Sequence, residues 1–176
     1  METVKDIAAN AGPVLKIRKV HDRAVVHGYK HEGDVCFDIG VLVDGDANHP
    51  ICVCGSGDLY ESAGVYSIHA GSTAVFHTGL NWSVTPGYAV RVYDRSSTGI
   101  KKLLALPNSV GIIDNGYRGE VMVALTNLSD EPVPVNDGER VAQGEVCPVI
   151  RAEIVEVDEL SESERGTGGI GSTGRS

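Results

Sequence analysis

Aromatic residues are scarce in this chain: one Trp, two Phe and six Tyr make up 5% of 176 residues. That scarcity, with no Cys–Trp–Cys spacing, excludes an immunoglobulin-type core. No hydrophobic run approaches the roughly 18–20 apolar residues of a membrane-spanning helix. Basic residues are outnumbered, 15 Lys and Arg against 24 Asp and Glu, for a net charge of −9. A non-specific grip on DNA or RNA needs a basic face and is therefore not expected. An anionic ligand would need local arginines, backbone N–H groups or a metal ion to overcome the global field. Cysteines number four, Cys36, Cys52, Cys54 and Cys147, too sparse for a disulfide scaffold. Met1 to Gly12 carries Glu2 and Asp6 without an apolar stretch, so no secretory signal is expected. These absences together predict a cytoplasmic protein with free thiols, of cellular, viral or phage origin.

What the sequence has is valine and turns. β-Branched runs cover Val14 to Val20, Val35 to Val43, Tyr88 to Tyr93, Glu120 to Leu125, Val141 to Ile150 and Ala152 to Val157. Between them lie Thr85-Pro86-Gly87, Asp114-Asn115-Gly116, Ser129 to Pro132 and Asn136-Asp137-Gly138. Many short strands at regular spacing predict an all-β sandwich or barrel. Ser97 to Leu104 predicts one short helix, capped by Ser96 or Ser97. From Ser161 the chain is polar and Gly-rich, the composition of a flexible arm. One domain over residues 1–160 with an arm over 161–176 follows. His49, Cys52 and Cys54 can be read as part of a metal site, or Cys52 and Cys54 as thiols sharing one face of a strand. No second cluster with zinc spacing follows them.

Four segments could carry chemistry. Arg95-Ser96-Ser97 sets a guanidinium beside hydroxyls at a helix start, a plausible anion site or simply a cap. Gly111 to Glu120 reads as a β-hairpin, in which Asp114 is either a turn residue or an acid able to act as a general base toward water. Gly138 to Gln143 leads a turn into a strand, where the Gln143 amide can donate to an oxygen ligand. In the arm, Gly166 to Gly171 matches G-x-G-x-x-G but lacks the preceding strand and following helix of a dinucleotide site. What remains there is Arg165, exposed glycine N–H groups and the hydroxyls of Ser172 and Thr173, phosphate-binding groups without a scaffold. The six histidines form no H-E-x-x-H or triad pattern.

In this order, from about Gly33 to Gly174, the segments resemble the homotrimeric dUTPases, a family with five ordered motifs. Arg95-Ser96-Ser97 is similar to the second, Gly111 to Glu120 to the third, Gly138 to Gln143 to the fourth and Arg165 to Gly174 to the fifth. Pro86-Gly87-Tyr88 also looks like the family. The first motif departs from it: Val35-Cys36-Phe37-Asp38-Ile39 keeps the aspartate but has Cys36 for glycine. Ile170 stands where the family has Phe, giving up stacking on the base. Asp44 to about Ser72 is longer than the family shows and is expected to be an inserted surface loop or hairpin, open to a protein partner.

The resemblance implies a β jelly roll and a homotrimer whose three subunits share each site. It implies hydrolysis of dUTP to dUMP and pyrophosphate, keeping uracil out of DNA and supplying dUMP for dTMP synthesis. Asp114 would deprotonate the water, while Asp38 would position Arg95. Ser96, Ser97 and Gln143 would hold the phosphates. Arg165 would contact the γ-phosphate with Ser172 and Thr173 beside it, Ile170 would cover the base, and Gly169 and Gly171 would bind substrate. Backbone groups around Asn108 to Gly111, with the Asn108 side chain, would read the uracil edge, Ile113 would bind substrate, and Tyr117 would pack on the deoxyribose. Mg2+ would be held mainly by the triphosphate, with no side chain marked as its ligand. Two other readings stand beside this one. One is a dCTP deaminase on the same fold, for which Glu120 is a candidate. The other is a nucleotide-binding regulatory module using the long segment.

Overall fold

The computed structural model describes residues 12–43, 52–54, 60–62 and 64–169, with backbone alone at 52–54 and 60–62, and among them lie twelve strands and one helical turn. The strands are β1 (Leu15–Lys19), β2 (Phe37–Gly40), β3 (Cys52–Cys54), β4 (Tyr60–Ser62), β5 (Val65–Ile68), β6 (Thr73–Val84), β7 (Tyr88–Asp94), β8 (Leu104–Ala105), β9 (Gly111–Ile113), β10 (Glu120–Asn127), β11 (Val133–Asn136) and β12 (Arg140–Pro148). All named pairings are antiparallel. They form an order β1-β6-β10-β8 with β3 also on β6, an order β2-β12-β7-β9, and an order β11-β5-β4. The architecture is an all-β jelly roll. No helix among the described residues is long and apolar enough to cross a membrane.

Alternation explains which face each strand buries. β6 hides Ala74, Phe76, Thr78, Leu80, Trp82 and Val84, and β10 hides Val121, Val123 and Leu125. They pack against Phe37 and Ile39 of β2, Val90 and Val92 of β7, and Val141 of β12. The few aromatic rings are concentrated here. Phe37 meets Trp82 edge-on at 5.6 Å and Tyr66 meets Phe76 likewise at 5.6 Å, so each large ring joins strands of different sheets. In mid-strand, Thr78, Gly79 and Leu80 of β6 pass a single residue of β10, Val121. Gly79 has φ +69°, and a Cβ there would lie 2.7 Å from that of Ala24. Its amide donates to Glu120 Oε1 at 2.7 Å, which holds the bulge.

Several sequence expectations change in the folded chain. The longest strand, β6 at 12 residues, goes unrecognised in the sequence because most of its outer positions (Thr73, His77, Asn81 and Ser83) are polar and Gly79 interrupts it. Ala152 to Val157 forms no strand: Ile154 is 97% exposed, and among the described residues no neighbouring strand pairs with it. The helix covers Ser97–Lys101 alone, because Leu103 turns to φ 52° and Leu104 begins β8. Ser96 makes no side-chain cap bond. The Asp44 to Ser72 segment is not surface throughout. It contains β3, β4 and β5, and Tyr66 and Ile68 of β5 are core residues. His49 and the side chains of Cys52 and Cys54 lie outside the described residues.

Asn127 is the buried polar junction of the fold. Its Nδ2 donates to Ile68 O at 2.8 Å and Glu131 O at 2.7 Å, while its Oδ1 accepts from Ser129 N at 2.8 Å and Ser129 Oγ at 2.7 Å. The residue is fully buried. Asn127→Ala would leave those groups unpaired, so urea unfolding should show a loss of about 2–4 kcal/mol.

Candidate active site

Strand β12 runs between β2 and β7, and this placement assembles the site. Gln143 lies opposite Asp38 on one side and Tyr93 on the other, while Ala142 lies opposite Asp94, whose strand continues into Arg95. Three segments far apart in sequence therefore form one row across the sheet.

The row is bound by charge. Arg95 Nε meets Asp38 Oδ1 at 2.7 Å, and Arg140 donates from a guanidinium nitrogen to Asp38 Oδ2 at 2.8 Å. Arg95 also donates to the Arg140 carbonyl at 2.8 Å and reaches Ser97 Oγ at 3.5 Å. Both carboxylate oxygens of Asp38 are thus committed to guanidinium groups. Gln143 Nε2 donates to Asp94 O at 2.8 Å, and Asp94 Oδ1 accepts from Leu106 N at 2.9 Å. The helical turn closes on Arg95 O through Thr98 N and Gly99 N, leaving the side chains of Ser96 and Ser97 exposed. Asp38, Arg95, Ser96, Ser97 and Gln143 line one open cleft of about 650 Å³, whose far wall comes from residues 28–36.

Near this row, His27 is pushed below its ordinary pKa of 6.5, first by burial and then by Arg140 and Arg95, against an opposing pull from Asp38. Cys36, on the cleft wall, is pushed up by burial and by Glu145, which keeps its thiol protonated.

The second group of predicted residues sits elsewhere. Gly111 to Glu120 is not a hairpin. β9 pairs with β7, whereas β10 pairs with β6 and β8, so the intervening turn passes from one sheet to another. Asp114 is exposed in that turn, and its carbonyl accepts from Tyr117 N at 3.0 Å. Tyr117 donates its hydroxyl to Glu120 O at 2.8 Å, and its ring lies where a Gly119 Cβ would be, 2.5 Å from the hydroxyl. Asn115 Nδ2 ties the turn to Val84 O. Ile113, Asp114 and Tyr117 line a pocket of about 220 Å³ that shares no residue with the first cleft. Asn108 lies beside Gly111, its Nδ2 3.4 Å from where a Gly111 Cβ would be, next to Ser109 at φ 62°.

In the arm, Arg165 Nε donates to Gly168 O at 3.1 Å, and both Arg165 and Gly169 are exposed. They line neither pocket. Ile170, Gly171, Ser172 and Thr173 lie outside the described residues. Two contributors had no assigned role in the sequence reading. Arg140 sits inside a segment already singled out, but only the β12–β2 register brings it to Asp38. Asp94 orients Gln143 through a backbone carbonyl, which no side-chain pattern reveals.

A family model described as dUTPase matches residues 58–174. Deoxyuridine 5'-triphosphate nucleotidohydrolase of Nautilia profundicola is 35% identical over 161 residues, covering 92% of this chain and 99% of that protein. The enzyme of the same name from Bdellovibrio bacteriovorus is 44% identical over 113 residues, 64% of this chain and 76% of the relative. Among solved structures, the dUTPase of Staphylococcus bacteriophage 80alpha with dUPNHPP is similar at a TM-score of 0.70, 23% identity and coverage of 92% and 99% of the two chains. A mutant dUTPase of phage phi11, described with a structural Mg(II) ion, is similar at TM-score 0.65 and 20% identity, covering 84% and 98%. At these identities the solved structures establish the fold.

The His27 environment has a measurable consequence. Unfolded chain takes up a proton near pH 6.5, while the folded chain resists it, so the unfolded state binds more protons just below that pH. Stability should be complete above pH 6.5 and fall as the pH drops below it. Thermal melts at pH 7.5 and 5.5 should show a larger drop for the native chain than for His27→Gln.

Proposed function

The chain belongs to the dUTPase family and is a dUTP diphosphatase, and we propose that it works through a site shared between subunits, with phosphates on the Asp38–Arg95–Gln143 cleft and base and water on the Asp114 turn. The observation that carries this reading is the row across β2, β12 and β7, which gathers Asp38, Arg95, Ser96, Ser97 and Gln143 on one cleft while Asp114 and Tyr117 line another. A reaction needing both groups draws them from different copies of the chain. The long exposed stretch after β12 supports the same assembly. Ile150, Ile154 and Leu160 are each 88% or more exposed, a large apolar surface for a chain to leave in water. A homotrimer would cover it and bring Arg165 and the residues after it over a neighbour's cleft.

The chemistry is positioning and neutralisation of charge. Water attacks the α-phosphorus of dUTP in line. A new P–O bond forms, the bond to the bridging oxygen breaks, and pyrophosphate leaves with that oxygen. Asp114, at an exposed turn, accepts the proton of the attacking water. Ser96 and Ser97, whose hydroxyls are not used as caps, hold phosphate oxygens with Gln143. Asp38 touches no substrate; it positions Arg95 and Arg140. Asn108 and the backbone around Gly111 read the uracil edge, Ile113 lines the pocket, and Tyr117 crowds the 2′ position of the sugar. Arg165, Ser172 and Thr173 close over the γ-phosphate, with Gly169, Ile170 and Gly171 over the base.

Mg2+ suits this cleft as a guest of the nucleotide. Among the described residues no three His, Cys, Asp or Glu side chains come together as a cation cage, and the Asp38 oxygens already face arginines. The nearby donors are hard oxygens, the hydroxyls of Ser96 and Ser97 and the Gln143 carbonyl, which match an ion that keeps its waters and takes phosphate ligands. When bound, Mg2+ would neutralise charge on the triphosphate. The deaminase reading needs a free Glu120. Instead its two carboxylate oxygens face Gly79 N at 2.7 Å and His77 Nδ1 at 2.8 Å.

Pyrophosphate release from dUTP, dCTP, dTTP and UTP, with Mg2+ and with EDTA, tests the reading. Release from dUTP alone, lost in EDTA, is expected, and ammonia from dCTP would overturn it. Asp114→Asn should bind dUTP but hydrolyse it at least about 100-fold more slowly, the usual scale of a general base. Deleting residues 165–176 should lower turnover and leave the oligomer intact by light scattering.

A further inference from the structure

The phosphate cleft has a second wall, most of which lies upstream of the first family motif. Residues 28–36 face the helical turn across the opening, and the cations on the two sides are Lys30 and Lys101. The wall is built deliberately: Asp34 Oδ2 accepts from Lys30 N at 3.0 Å and His31 N at 2.8 Å, and Asp34 N donates to His31 O at 3.1 Å. That carboxylate pins a tight turn that carries Lys30 on the cleft wall. Lys101 ends the helical turn that starts beside Ser96 and Ser97.

The other cations near the cleft already have partners. Arg95 and Arg140 share Asp38, and Lys102 pairs with Glu139 at 2.5 Å and donates to Pro134 O at 2.8 Å. Neither the Lys30 nor the Lys101 ammonium has an ion-pair or hydrogen-bond partner among the described residues. In a chain of net charge −9, two unpaired cations across one anion cleft stand out.

We propose that Lys30 and Lys101 form a cationic clamp for the distal phosphates, gripping the β- and γ-phosphates of the substrate and the pyrophosphate product but not the α-phosphate. The clamp rests on the dUTP reading above for its physiological ligand. Two compact ammonium charges on flexible stems suit a polyphosphate, which offers oxygens in many directions, better than a single planar carboxylate or monophosphate. The clamp also makes triphosphate binding sensitive to salt, since both groups are exposed.

The test compares the full-length protein with Lys30→Ala/Lys101→Ala and Lys30→Arg/Lys101→Arg double variants. Inorganic pyrophosphate is titrated into nucleotide-free protein by calorimetry, alongside dUTP kinetics and inhibition by dUMP. The alanine pair should weaken pyrophosphate binding about tenfold or more and raise KM for dUTP by a similar factor, with a smaller change in kcat. Inhibition by dUMP should hold, and the arginine pair should restore pyrophosphate binding. Unchanged pyrophosphate binding, or equal weakening of pyrophosphate and dUMP, would overturn the clamp. Should the native chain hydrolyse no dUTP, the functional reading falls on its own, and the pyrophosphate titration still decides the clamp.

Discussion

Everything at the candidate site hangs on β12 lying between β2 and β7. Backbone hydrogen bonds on both its edges fix the register, and the register alone sets Gln143 opposite Asp38 and next to the end of β7. Slipping β12 by one residue would turn Gln143 toward the core and Ala142 or Gly144 toward the cleft. The core opposes that slip. Val141 is fully buried in the same strand, and Phe37 packs against Gly144 so closely that a Cβ there would lie 2.5 Å from the ring. The apolar packing that stabilises the jelly roll therefore also holds the polar row in place.

Charge is handled within that frame. Asp38 would be costly half-buried with one arginine missing, because a carboxylate out of water needs its partners. With both arginines it becomes a rigid post that fixes their guanidinium planes. This resolves the conflict between an acidic chain and an anionic substrate. The net negative charge sits on the exposed surface and the segment after β12, while a few cations are collected at one cleft.

The division of the predicted residues between two pockets is a consequence of topology. Because the Asp114 turn leads from one sheet to another, it is carried away from the Asp38–Arg95–Gln143 cleft instead of folding back over it. A single chain thus presents two separate clefts and an exposed segment after β12 that carries Ile150, Ile154 and Leu160. The association between copies proposed above would bring the two clefts together and cover those side chains.

Much of this was legible in the residues. Alternating β-branched runs and Gly–Pro turns determined an all-β fold, since period-two burial and left-handed turn positions depend on local sequence. Arg95-Ser96-Ser97, Asp38 and Gln143 were singled out by motif order, and the fold sets them on one cleft. Other features depended on partners distant in sequence. The bulged β6, the burial of Tyr66 and Ile68, the absence of a strand at Ala152 to Val157 and the sheet-to-sheet turn at Asp114 all follow from which strands meet. The commitment of Asp38 to two arginines, and the facing lysines at positions 30 and 101, likewise follow from register and packing. Local sequence sets what a segment can become; only the tertiary structure decides which groups, dozens of residues apart, share a few ångströms of space.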